Sequence, residues 1–214
     1  MATMKKTTKK PVKGEIATPS ILNRIYTSFD QVTDAYNEVR DDLIKLGVLW
    51  RGSKLDTVEC LYERIAPIAA LKGWMGYFDF EDRDIHFPSV YLPVGWLTGS
   101  VGEKNSAPDV IRHEFGHALA DRYPLALKKG GLFREAFGRA YSDKPAPDID
   151  PDNWKFDFVS AYAATATRED FAETFMFFVK HKGKMPAKFA KKPAIVKKWK
   201  SVAEIVKRVG AATT

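Results

Sequence analysis

From Ser20 onward, apolar residues recur every third or fourth position: Ile21, Leu22, Ile25, Phe29, Val32, Ala35, Tyr36, Val39, Leu43 and Leu46, with acids and bases between them. That spacing lines one face of a helix, and Gly47 is a stop. Asp56 to Leu71 carries the same period in Val58, Leu61, Ile65, Ile68 and Ala69, so a second helix is expected, bent or ended at Pro67. The period changes at Trp74. Trp74 to Phe80 partly alternates, Glu81 to Asp84 is a charged turn, and Ile85 to Pro93 alternates again, which predicts a β-hairpin. Pro88 and Pro93 lack a ladder donor and demote the second strand to an edge.

Val94 to Ala107 reads as a loop. Helical spacing then returns with Val110, Ile111, Phe115, Ala118 and Leu119, started by Asp109 as N-cap after Pro108 and stopped at Tyr123-Pro124. Leu125 to Tyr141 is helical with a break at Gly130-Gly131, and Ser142 to Asp152 is a Pro- and Asp-rich loop. Arg168 to Lys180 is a strongly apolar helix. Phe189 to Val209 is a basic one, with Ile195, Trp199, Val202, Ile205, Val206 and Val209 on its apolar side. The fold class expected is α+β: a small mixed or antiparallel sheet with an edge strand above a central helix, plus flanking helices. Four regions follow: a basic disordered arm (1–19), an N-terminal helical region (20–73), a core (74–183) and a basic C-terminal helix packed on it (184–214).

Composition changes this picture in three places. The net charge of +7 is uneven: residues 1–20 carry +4, residues 180–214 carry +10, and the middle is about −7. The basic ends make contact with a nucleic acid or another polyanion an expectation. Cys60 stands alone, so no intrachain disulfide forms, and it reads as a small core residue. No apolar run reaches the length of a membrane span, and the lysines of the N-terminus precede no apolar stretch. The expected location is therefore the cytoplasm, or outside the cell by a route without a Sec signal.

The candidate chemistry lies on the central helix. His113-Glu114-Phe115-Gly116-His117 places two imidazoles one turn apart on one face, where they converge on a single ion. Zn2+ suits such donors, and Glu114 is placed as a general base for an attacking water. Gly116 costs helix propensity, which makes sense if another backbone packs closely against this turn. Two histidines leave a catalytic zinc one protein ligand short. His86 reads as a strand residue and not a ligand. Glu169 and Glu173 lie one turn apart beside an apolar face; one can bind the metal while the other accepts the free N–H of a ligand histidine. Spacing alone does not choose between them.

His113-Glu-Phe-Gly-His117, then Ser160-Ala-Tyr162-Ala-Ala-Thr165, then Arg168-Glu-Asp-Phe-Ala-Glu173 together resemble the zincin metallopeptidases of the glutamate-ligand type, the gluzincins. The layout looks most like the catalytic domain of anthrax lethal factor and its bacterial relatives. The resemblance spans roughly residues 74–180 and implies a zincin-like core that hydrolyses peptide bonds. It implies Glu169 as third zinc ligand, Glu173 as the acceptor behind a ligand histidine, and Tyr162 as a donor to the transition state. A protein or peptide substrate would pair with the edge strand at Ile85, Phe87 and Val90. The alternative reading is an inactive zincin-like structural or nucleic-acid-binding component of a larger assembly.

Overall fold

The computed structural model describes residues 27–64, 76–89, 106–143 and 154–211. The expectations for the basic arm, for Ile21, Leu22 and Ile25, for residues 65–75, for Val90 and the loop after it, and for most of the loop at 142–152 lie outside those residues.

Helix α1 runs Phe29–Lys45. Ser28 and Gln31 start it with reciprocal bonds: the Gln31 N–H donates to the Ser28 hydroxyl at 3.2 Å, and the Ser28 N–H to the Gln31 side chain at 2.9 Å. Its end is the one read from sequence, with Gly47 in the left-handed region at φ +70°.

Over its described part, residues 56–64, the second expected helix is not formed. Residues 60–63 are instead strand β1 (Cys60–Glu63). The stretch holds two periods at once. Val58, Leu61 and Ile65 fit a helix, but Val58, Cys60 and Tyr62 alternate with the exposed Thr57, Glu59 and Leu61. Pairing decides for the strand. β1 lies parallel to β3 (Ile85–Pro88), with Cys60 opposite Ile85, and the Tyr36 hydroxyl of α1 donates to the Val58 carbonyl just before it.

The hairpin is present as β2 (Tyr77–Phe78) antiparallel to β3. The strand order is β1-β3-β2, so β3 is central and not the edge that its prolines suggested. Pro88 is tolerated because it ends the strand; the next donor, the Ser89 N–H, reaches the Glu63 carbonyl at 2.7 Å. Ile85 and Phe87 are fully buried, so neither lines a free edge for a substrate.

The sheet lies on helix α2 (Ala107–Arg122). Its start is corrected by one turn: Ser106 is the N-cap, and Asp109, three residues in, accepts the Ser106 N–H at 3.3 Å. Short helices α3 (Pro124–Lys128) and α4 (Leu132–Phe137) follow, separated at Gly130 and Gly131, both with positive φ. After α5 (Trp154–Asp157) comes a turn at 159–165, then α6 (Thr167–Lys180). The basic C-terminal pattern divides at Pro193 into α7 (Ala187–Ala190) and α8 (Pro193–Ala211).

Two contacts set the position of the site. Helices α2 and α6 touch backbone to backbone at Gly116, where a Cβ would stand 2.9 Å from the Ala172 Cα. Buried charges then lock the helices in register. Arg112 of α2 binds Asp42 of α1 at 2.9 Å and its own Asp109 at 3.1 Å, while Lys180 of α6 reaches Asp109 at 2.9 Å. On the far side, Lys198 of α8 pairs with buried Asp170 of α6 at 2.6 Å, and Trp199 docks on Phe178.

Candidate metal centre

Every residue of α2 from Asp109 to Ala120 is buried, so each polar side chain among them needs a partner. The histidines find theirs on α6. The Nε2 atoms of His113 and His117 stand 3.1 Å apart, and the Glu169 Oε2 lies 3.2 Å from the first and 3.3 Å from the second. Among the described residues these three form a buried group able to hold a metal ion. The spacing itself tests the fit. Ligand bonds of about 2.0–2.1 Å in tetrahedral geometry put neighbouring donors about 3.3 Å apart, and the mutual spacing of these three atoms, 3.1 to 3.3 Å, fits that separation. Two imidazole nitrogens and a carboxylate oxygen are also ordinary zinc donors.

Behind the donors, the Nδ1 of His113 meets the Glu173 carboxylate at 2.8 Å, and the Ser160 hydroxyl donates to the other Glu173 oxygen at 2.6 Å. Glu173 therefore braces an imidazole, and Glu169 is the carboxylate in the donor group. Burial lowers the affinity of His113 for a proton, but its bonds to Glu169 and Glu173 outweigh this and raise its pKa to about 10. Burial likewise disfavours a charged Glu169, yet the two imidazoles hold its carboxyl well below the usual range.

Glu114 points to the sheet. Its Oε2 accepts the backbone N–H of Phe78 at 2.8 Å, which ties β2 to the motif helix. Burial raises its pKa, against the opposing pull of His113 and His117. Tyr162 is half-exposed at the mouth of the site, with its ring centroid 5.7 Å from that of His113. Partial burial and the charges of Glu169, Glu114 and Glu173 push its pKa up, so its hydroxyl keeps the proton and remains a donor.

The structure thus brings His113, His117, Glu169, Glu173, Glu114 and Tyr162 together. Ile85 and Phe87 do not join them, and Val90 lies outside the described residues. Three participants have no motif in the sequence. Ser160 sits inside the Ser-Ala-Tyr block but carries no signal of its own. The Phe78 N–H is a backbone group. Tyr141, 24 residues beyond His117, places its hydroxyl 2.6 Å from the His117 Nδ1.

A second group, Asp79, Asp82 and His86, also brings potential ligand atoms within 4.8 Å of one another. There both imidazole nitrogens are already held by carboxylates, Nδ1 by Glu63 at 2.6 Å and Nε2 by Asp82 at 2.8 Å. Ion pairing accounts for that arrangement, and His86 stays out of the ligand set.

A family model described as "putative zinc-binding metallo-peptidase" matches residues 110–198, less than half of the chain. The matched stretch holds α2 from Val110 onward and all of α6, and with them every residue of the donor group. The class to which this segment is similar is therefore a zinc metallopeptidase. Comparison with curated proteins finds no match, and neither does comparison with solved structures. No helix among the described residues is long and apolar enough to cross a membrane.

Proposed function

We propose that this chain is a zinc-dependent metallopeptidase of the glutamate-ligand type, hydrolysing peptide bonds of a protein or peptide substrate. The observation that carries the reading is the convergence of three buried donors from two helices at zinc-ligand spacing, with Glu114 one residue from the first of them. Bound by His113, His117 and Glu169, zinc would supply Lewis acidity toward a carbonyl oxygen and a lowered pKa for water.

The remaining chemistry belongs to the protein. Glu114 accepts the proton of the attacking water and returns it to the departing amine. Burial raises its pKa above the ordinary carboxylate range, which makes it a stronger base than an exposed glutamate. The Phe78 N–H holds one oxygen of that carboxylate, leaving the other for the proton. Tyr162 donates to the oxygen that gains charge as the carbonyl becomes tetrahedral. Glu173, itself held by Ser160, keeps His113 with its proton on Nδ1. Among the described strands, β2 is the edge that reaches the base, so an extended substrate is expected along β2 rather than β3.

The test is cleavage of a peptide library and of an unfolded protein by wild type and by Glu114→Gln, with zinc content measured for both. The variant is expected to keep zinc and to lose turnover by about two to four orders of magnitude, the usual contribution of an acid–base group. Equal cleavage by both would remove Glu114 from the mechanism. Zinc bound without cleavage by wild type would favour an inactive zincin-like component.

A further inference from the structure

We infer that Tyr141 is the positioning residue for His117, holding its Nδ1–H so that Nε2 faces the metal; the inference rests on the zinc reading above. The two ligand histidines are braced differently. His113 gives its Nδ1–H to a carboxylate, Glu173. Among the described residues no carboxylate takes that place for His117; the Tyr141 hydroxyl lies 2.6 Å from its Nδ1. A histidine that ligates through Nε2 must carry its proton on Nδ1, and that proton needs an acceptor inside a buried site. The phenolic oxygen is the acceptor in place.

The ring is fixed in a way a chance contact is not. It packs edge-on against Phe133 of α4 at 6.1 Å and Phe171 of α6 at 5.9 Å between centroids. Its backbone sits in a turn closed by the Asp143 N–H on the Ala140 carbonyl at 3.1 Å and by the Ala140 N–H on the Asp143 carboxylate at 2.9 Å. Phe171 follows Glu169 by two residues on α6. One aromatic cluster therefore sets the ring that braces His117 and the helix that delivers the third donor. The chemical consequence is a matter of charge. A phenol fixes the tautomer without adding a second anion behind the ligands, so the Glu173 side of the site is more electron-rich than the Tyr141 side.

Tyr141→Phe removes the acceptor and keeps the ring. Zinc affinity, measured by competition with a chromophoric chelator, is expected to fall about ten- to a hundredfold, the usual effect of losing a group that orients a ligand. Stability of the metal-free protein is expected to change little, because an unligated His117 can move its proton to Nε2. A role in packing alone would give the reverse: lower stability and unchanged affinity. Wild type supplies a second readout by itself. In the zinc-loaded protein, proton–nitrogen spectra of the histidine rings should place the His117 proton on Nδ1 and in slow exchange with solvent. Unchanged zinc affinity in Tyr141→Phe, or a rapidly exchanging His117 Nδ1–H in wild type, would overturn the assignment and leave the metallopeptidase reading standing. A wild type that binds no zinc would overturn both.

Discussion

Gly116 lies between the two histidines of the candidate metal centre, and replacing it with alanine tests how the site is assembled. A Cβ there would meet the Ala172 Cα at 2.9 Å, and the Ala172 Cβ and Phe175 Cδ1 at 3.3 Å. Non-bonded carbons rest at about 3.5–4.0 Å, so α2 and α6 must part by about 0.6 Å. The nearest atom is backbone, and both neighbours are fully buried, so no side chain can swing aside. Overpacking costs about 1–3 kcal/mol, offset by about 1 kcal/mol of better helix propensity. The metal-free protein should therefore lose up to about 2 kcal/mol. At about 2–4 °C per kcal/mol for a chain of this size, Tm falls by at most about 8 °C. Zinc binding should suffer more. Ligand distances tolerate about 0.2 Å, a third of the displacement. His113 and His117 are on one side of the parting and Glu169 on the other, so affinity should drop about tenfold or more, worth at least about 1.4 kcal/mol. Thermal denaturation with and without chelator, together with a zinc titration, measures both effects. A variant with a higher Tm and unchanged zinc affinity would refute the close approach of the two helices.

Glu173→Ala should retain zinc but bind it about ten- to a hundredfold more weakly, because it removes the brace of His113 and no donor; chelator competition checks this. His86 should make stability depend on pH. Burial disfavours its charged form, but Glu63 and Asp82 outweigh this and raise its pKa. Its contribution is thus complete below the unfolded value of about 6.5 and is lost as pH rises through the folded one. Denaturant titrations of metal-free wild type and His86→Asn should differ more at pH 6 than at pH 9, and a constant difference would refute the ion-paired role.

The half of the fold that carries the candidate metal centre was readable from the chain because its signals are local. Two histidines at helical spacing, a glycine where a backbone must approach, and two glutamates on an apolar helix each state their geometry within a few residues. The sheet was not readable to the same extent. Residues 57–63 fit two periods, and pairing with β3, more than twenty residues away, decided between them. Pro88 gave a sound reason for an edge strand, yet a proline at the last position of a parallel ladder costs no bond, which the sequence alone cannot reveal. Tyr141 was invisible for a different cause. Its role depends on the aromatic cluster that turns it toward His117, and no spacing announces such a contact.

The central claim is that two imidazoles and Glu169 hold a zinc ion. X-ray absorption at the zinc edge of the loaded wild type tests it most directly, with Glu169→Ala alongside. One zinc per chain is expected, bound by nitrogen and oxygen alone at about 2.0–2.1 Å, with the outer-shell pattern of two imidazoles; Glu169→Ala should purify without metal. A sulfur neighbour at about 2.3 Å, or zinc held equally well by Glu169→Ala, would contradict the account.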